Sequence, residues 1–267
     1  MKKKLLRIIS MVLVAGALSL SVVGCGKTSS TTGSSQLDKI KQSGKLVLAT
    51  GDYRPFEYHD EKTNEVVGYD IDLAKKIADE IGVKLEVKDM DFTSIIPSVQ
   101  NGQADLAIAA MYITDERKQA VDFADPYMST GQVLCVKKGS PIKSKDDLTG
   151  KKVGAKLGAT SAATVQKLID AGQNIQLVTY KQNEDMLADL ENGRIDAGVN
   201  DLLYQLQYNA THSNLTILDG TLAEADLGVA VQKGNSDLTD VVNKVIKDMK
   251  DSGEDKKLYE KWIPKNN

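Results

Sequence analysis

Short apolar runs alternate along most of the chain with stretches in which apolar residues recur every third or fourth position. Residues 45–50 (KLVLAT) read as a strand, and residues 68–82 (GYDIDLAKKIADEIG) as a helix with Ile71, Ala74, Ile77, Ala78 and Ile81 on one face. KLEVKDM, TSIIPSVQNG and ADLAIAA continue as strand, helix and strand. After a Lys/Asp-rich join the order restarts with KKVGAKL, SAATVQKLIDAG, NIQLVTY, NEDMLADLENG and IDAGVN. This alternation predicts βα units and mainly parallel sheets, hence the α/β class.

The two halves share a local signature. Asn101-Gly102-Gln103-Ala104-Asp105 and Asn192-Gly193-Arg194-Ile195-Asp196 each close a helix and lead into a buried strand. Aligned on it, one strand ends at Ala109-Ala110 and runs on to Thr114-Asp115-Glu116-Arg117; the other ends at Asn200-Asp201. Ligands of open α/β sheets bind beyond the carboxyl ends of strands, so these ends are the expected lips of a site. Thr114 suits a helix N-cap and the acids after it suit the helix dipole, but Arg117 in that first turn does not. A guanidinium can fork onto a carboxylate and an Asp can accept from an ammonium, so Arg117 and Asp201 could grip a zwitterion. Equally, Arg117 could pair with Asp122 or Asp125 while Asp201 only caps the following helix. Spacing alone leaves both open.

The N-terminus changes the picture. MKKKLLR followed by IISMVLVAGALSLSVV reads as an export signal, and Val22-Val23-Gly24-Cys25 resembles the end of a bacterial lipoprotein signal, which implies an acylated Cys25 after a 1–25 leader. Residues 26–36 read as a flexible Gly/Ser/Thr tether. Without Lys2, Lys3, Lys4 and Arg7, 30 basic residues face 37 acidic ones, a net charge of −7 that argues against nucleic acid. With one of its two cysteines lipidated, Cys135 is left single in an apolar run and reads as a buried thiol. His59 and His212 are too few for a metal cluster or catalytic triad, so no metal and no cofactor are expected.

Several short motifs together resemble the family 3 extracellular solute-binding proteins of polar amino acid ABC importers: Gly68-Tyr69-Asp70-Ile71-Asp72-Leu73, Asp91-Phe92-Thr93-Ser94-Ile95-Ile96-Pro97, Ile113-Thr114-Asp115-Glu116-Arg117, Asp122-Phe123 and Leu258-Tyr259-Glu260-Lys261-Trp262. The resemblance implies a two-lobed periplasmic-binding-protein-like fold of type II, two α/β lobes joined by two crossing hinge strands. Mapped here, lobe 1 comprises 37–131 plus 232–267 and lobe 2 comprises 132–231, with crossings near Gln132 to Val136 and Leu227 to Val231. It also implies a monomer, exported and held by lipid on the outer face of the membrane, that captures a polar amino acid and passes it to permease subunits without chemistry.

Carried over by position, the resemblance gives Arg117 the ligand carboxylate and Asp201 the ammonium, with Tyr53 and Phe92 as aromatic walls. Ala109 and Ala110 would offer backbone acceptors, Ala159 and Thr160 a helix N-terminus, and Lys156 a side-chain reader. Asn200 and Asp52 are further candidates; the first loop is one residue shorter than is common in the family, which leaves the place of Asp52 open. Tyr112 stands where the family has a small hydroxyl residue, and its ring either forms a third wall or points away. Two rivals share the fold. Exported cyclohexadienyl dehydratases have a first loop like Thr50 to Phe56, but no carboxylate of the second lobe suggests a general acid. Sensor ectodomains continue into a membrane span, whereas this chain stops at Asn267.

Overall fold

The structure is a computed structural model and describes residues 35–263; the expected leader 1–25 with Cys25, and residues 26–34 of the expected tether, lie outside the described residues. The first described helix is Gln36–Ser43. The Ser35 hydroxyl accepts from Asp38 N–H while the Asp38 carboxylate accepts from Ser35 N–H, a reciprocal cap that satisfies otherwise free donors. Gln36 is therefore helical rather than part of a tether.

One sheet has the strand order Lys84–Asp89, Lys45–Thr50, Leu106–Ala107, Ala230–Val231, Asp122–Phe123. The first three strands are parallel, and Ala230–Val231 lies antiparallel between its two neighbours. The helix Tyr69–Ile81 buries Ile71, Ala74, Ile77, Ala78 and Ile81, the face that its periodicity predicts. The helix Ser236–Ser252 adds Val242, Val245 and Met249 to the same core, over Leu46 and Leu48 of the strand. Each such fully buried aliphatic contributes about 1.5–3 kcal/mol.

The second sheet runs Leu215–Ile217, Met128–Lys137, Ala197–Asp201, Lys152–Lys156, Gln176–Tyr180, with Ala223–Leu227 also paired to Met128–Lys137. Leu134, Val136, Val153, Val165 and Val199 form its core. Cys135 is buried here and its thiol donates to Gly198 O at 3.2 Å; burial pushes its pKa up to about 12, which makes it unreactive.

The chain passes between the sheets twice. Residues 128–132 pair antiparallel with 223–227, from Met128 opposite Leu227 to Gln132 opposite Ala223. Beyond this ribbon, Gln132 to Cys135 pair with Gly198 to Asp201 inside the second sheet. The first crossing is therefore Met128 to Gln132, earlier than the expected Gln132 to Val136. Its sequence, MSTGQ, is largely polar because this strand leaves the cores it connects, so the apolar VLCV that follows marks the sheet and not the crossing. On the return, Leu227 ends one sheet's strand and Ala230–Val231 already belongs to the other.

Candidate functional site

A cleft of about 440 Å³ separates the strand ends of the two sheets. Tyr53, Phe92, Ala109, Ala110, Tyr112 and Arg117 line it from one side, and Lys156, Ala159, Thr160, Asn200 and Asp201 from the other. Ser161, from the same helix start as Ala159 and Thr160, also lines it, and Gln132 and Asn183, which the sequence does not single out for the site, complete the wall.

Arg117 lies in the first turn of the helix Asp115–Ala120, whose N-cap Thr114 accepts from Arg117 N–H at 3.2 Å. Its guanidinium turns away from solvent, donating from Nη1 to Tyr112 O at 2.8 Å and from Nη2 to Gly158 O at 3.3 Å, with Cζ 5.3 Å from the Phe92 ring centre. Arg117 is 9 % exposed, and among the described residues no carboxylate forms an ion pair with it. The alternative partner Asp122 is bound to Lys233 at 3.1 Å and to Gly234 N–H at 2.8 Å. Burial lowers the Arg117 pKa to about 10, so it stays charged at neutral pH. A desolvated cation without a counter-ion is costly, and an incoming carboxylate relieves that cost.

Asp201 caps a helix with one carboxylate oxygen and turns the other toward the opposite wall. Oδ1 caps the helix Leu202–Asn209, accepting from Leu203 N–H at 2.8 Å and Tyr204 N–H at 3.3 Å. Oδ2 faces the first lobe and accepts from the Tyr112 hydroxyl at 2.6 Å. Burial raises the Asp201 pKa, while the Tyr112 hydroxyl and the two N–H groups oppose the shift. Tyr112 thus neither lines the cleft passively nor points away: its carbonyl holds Arg117 and its ring reaches Asp201.

Tyr53 also spans the cleft. Its hydroxyl donates to Asn200 Oδ1 at 3.1 Å, and its ring stacks on Tyr204 with centroids 4.3 Å apart. Lys156 Nζ lies 4.9 Å from the Tyr53 ring centre and 5.5 Å from that of Phe92. The Lys156 side chain is buried, which lowers its pKa, while the charges of Glu57, Glu184, Asp52 and Asp91 work against that shift. The loop after it turns at Gly158, with a left-handed φ of 73°, into the helix Thr160–Asp170, whose cap residue Ala159 supplies no side-chain acceptor. Ala159 and Thr160, where that helix starts, line the cleft, and the free N–H groups of a helix start suit an anion.

Ala110 holds a left-handed φ of 45°, uncommon for a residue with a side chain, and its N–H donates to Asp70 Oδ2 at 2.7 Å. Tyr127 donates to the same oxygen at 3.1 Å. Asp52 is placed elsewhere: it lines a wider neighbouring cavity with Tyr58, His59, Glu184 and Tyr208. Tyr53 pairs back to Glu57 in an isolated bridge, and successive residues of extended backbone face opposite ways, so Tyr53 inside puts Asp52 outside.

The residues missed by sequence reasoning carry a structural signal. Asn183 is 2 % exposed, and among the described residues neither its amide nitrogen nor its oxygen has a hydrogen-bond partner. Gln132 Nε2 donates to Thr160 Oγ1 at 2.7 Å, but among the described residues its Oε1 has no partner. Unsatisfied buried polar atoms are uncommon in folded proteins, and along a cleft wall they offer bonding capacity to whatever enters it.

The model of the bacterial extracellular solute-binding proteins, family 3, matches residues 46–265. The arginine-binding extracellular protein ArtP of Bacillus subtilis (strain 168) is 35% identical over 267 residues, 98% of each chain. The L-cystine-binding protein TcyJ of Escherichia coli (strain K12) is 32% identical over 252 residues, 93% of each chain. Among solved structures, the ancestral amino acid-binding protein AncCDT-1, a precursor of cyclohexadienyl dehydratase, superposes with a TM-score of 0.79 at 37% identity, covering 86% of this chain and 100% of that one.

Proposed function

The chain belongs to the bacterial extracellular solute-binding proteins of family 3, and we propose that it captures an amino acid outside the cytoplasm and delivers it to an ABC importer by closing its two lobes. One observation carries the reading most: Arg117 is a buried cation with no counter-ion among the described residues, in a cleft whose opposite wall presents the buried carboxylate Asp201. An α-amino acid carries the two complementary charges on one carbon. Its carboxylate would take Arg117 and the N-terminus of the helix Thr160–Asp170, and its ammonium would take Asp201 and the backbone acceptors of Ala109 and Ala110. Tyr53 and Phe92 would flank the side chain, with Asn200 and Lys156 beside them. Only the closed arrangement engages both lips, so the ligand shifts the population toward it.

The same reading includes a lipid anchor at Cys25 on the outer face of the membrane, a monomeric body of lobes 37–131 plus 232–267 and 132–231, and no catalysis. The similarity to a dehydratase precursor does not favour an enzyme, since that ancestor is itself an amino acid-binding protein. Calorimetric titration with the common amino acids tests the proposal. At least one is expected to bind, and Arg117→Ala is expected to weaken it more than a hundredfold with an unchanged circular dichroism spectrum, as about 3 kcal/mol of charge-assisted bonding disappears. Near-normal affinity in Arg117→Ala would falsify the clamp; turnover of prephenate or arogenate would establish the dehydratase instead.

A further inference from the structure

We infer that Lys156 sets the ligand class, and that the cleft takes an acidic amino acid, one with a second carboxylate on its side chain. The inference rests on the amino acid reading above and concerns the same cleft. Tyr53 and Phe92 offer aromatic faces that attract a cation, but the ammonium of Lys156 already occupies the space beside them, 4.9 Å and 5.5 Å from the two ring centres. A cationic ligand side chain would have to share that space with a like charge.

Charge in the cleft points the same way. Of the residues that line it, Arg117 and Lys156 are cations and Asp201 is an anion. A zwitterion with a neutral side chain leaves one positive charge uncancelled, a cationic side chain leaves two, and a carboxylate side chain leaves none. Lys156 is 8 % exposed, and among the described residues its Nζ makes no hydrogen bond or ion pair, so its donors are free. Neighbouring carboxyl groups do not replace the missing partner. Glu57 is buried and, among the described residues, forms no ion pair with Lys156; burial together with Asp70 raises its pKa well above the usual range, which weakens the charge it can offer. Asp52, Glu184 and Asp91 are exposed, where solvent and salt screen them. Asn183, with its amide unpartnered in the same wall, supplies an N–H donor suited to a carboxylate oxygen.

Calorimetric titration of the purified protein with L-glutamate, L-aspartate, L-glutamine and L-arginine tests the inference. One of the two acidic amino acids is expected to bind at least tenfold more tightly than glutamine and a hundredfold more tightly than arginine. Lys156→Gln is expected to weaken the acidic ligand at least tenfold and to narrow its lead over glutamine; should that variant fold poorly, the ranking in the unaltered protein still decides. Arginine or glutamine binding as tightly as glutamate overturns the inference and leaves the amino acid reading intact. A screen of all twenty common amino acids in which none binds overturns both.

Discussion

The Tyr112 hydroxyl donates to Asp201 Oδ2 at 2.6 Å, joining a residue at the end of one sheet to the helix cap at the end of the other. A hydrogen bond to a charged acceptor contributes roughly 1.5–3 kcal/mol. The bond links the two lobes through protein atoms alone. Tyr112→Phe is therefore expected to open the ligand-free protein by tenfold or more in population while leaving the liganded form closed. Small-angle scattering would read this as a larger radius of gyration in the absence of ligand only; identical profiles for both proteins would count against the strap.

Gly158 approaches the other lobe from the opposite wall. A Cβ built there would lie 2.7 Å from Thr93 Cγ2, and the left-handed φ of 73° adds backbone strain for any other residue. In the proposed division Thr93 belongs to lobe 1 and Gly158 to lobe 2, so the proposed closure would govern this contact. Gly158→Ala is expected to cost about 1–2 kcal/mol from the backbone in either state, and to weaken ligand binding about tenfold more through the wedge. Pairing calorimetry with urea denaturation separates the two; a loss of stability with unchanged affinity would remove Thr93 from the account.

Beneath Ala110, burial raises the Asp70 carboxyl from its usual 3.8 to about 6, against the pull of the Ala110 N–H and the Tyr127 hydroxyl. The folded protein thus binds more protons than the unfolded chain between these values. The stabilisation is complete below pH 3.8 and is lost as pH rises through about 6, a loss of about 3 kcal/mol at 1.36 kcal/mol per pH unit. Glu57, raised by burial and by Asp70, acts in the same direction. Asp70→Asn keeps an acceptor for Ala110 but cannot titrate. Urea midpoints at pH 4.5 and 7 should fall for the parent relative to this variant, and parallel behaviour would sink the assignment.

Much of this molecule is legible in its sequence because periodicity reports burial. The face Ile71, Ala74, Ile77, Ala78, Ile81 is read from spacing and is buried as read. The repeat of Asn-Gly-x-x-Asp marks Ala109-Ala110 and Asn200-Asp201 as corresponding strand ends, with Arg117 following the first, whereas Tyr53, Phe92 and Lys156 come from the family resemblance. Orphaned groups are not legible in this way. Asn183 reads as an ordinary helix-start residue, and only the folded wall shows that its amide lacks a partner. The first crossing escapes for the opposite reason: a polar ribbon between two cores carries no hydrophobic pattern to mark it.

The interleaved strand order has a consequence for how the chain matures. Ala230–Val231 sits between Leu106–Ala107 and Asp122–Phe123, so the first sheet lacks an inner member until the chain beyond residue 229 is available. Every strand of the second sheet lies between Met128 and Leu227. During N-to-C synthesis the inserted lobe is the first to possess all its parts, and the half that starts the polypeptide is the last that can finish folding.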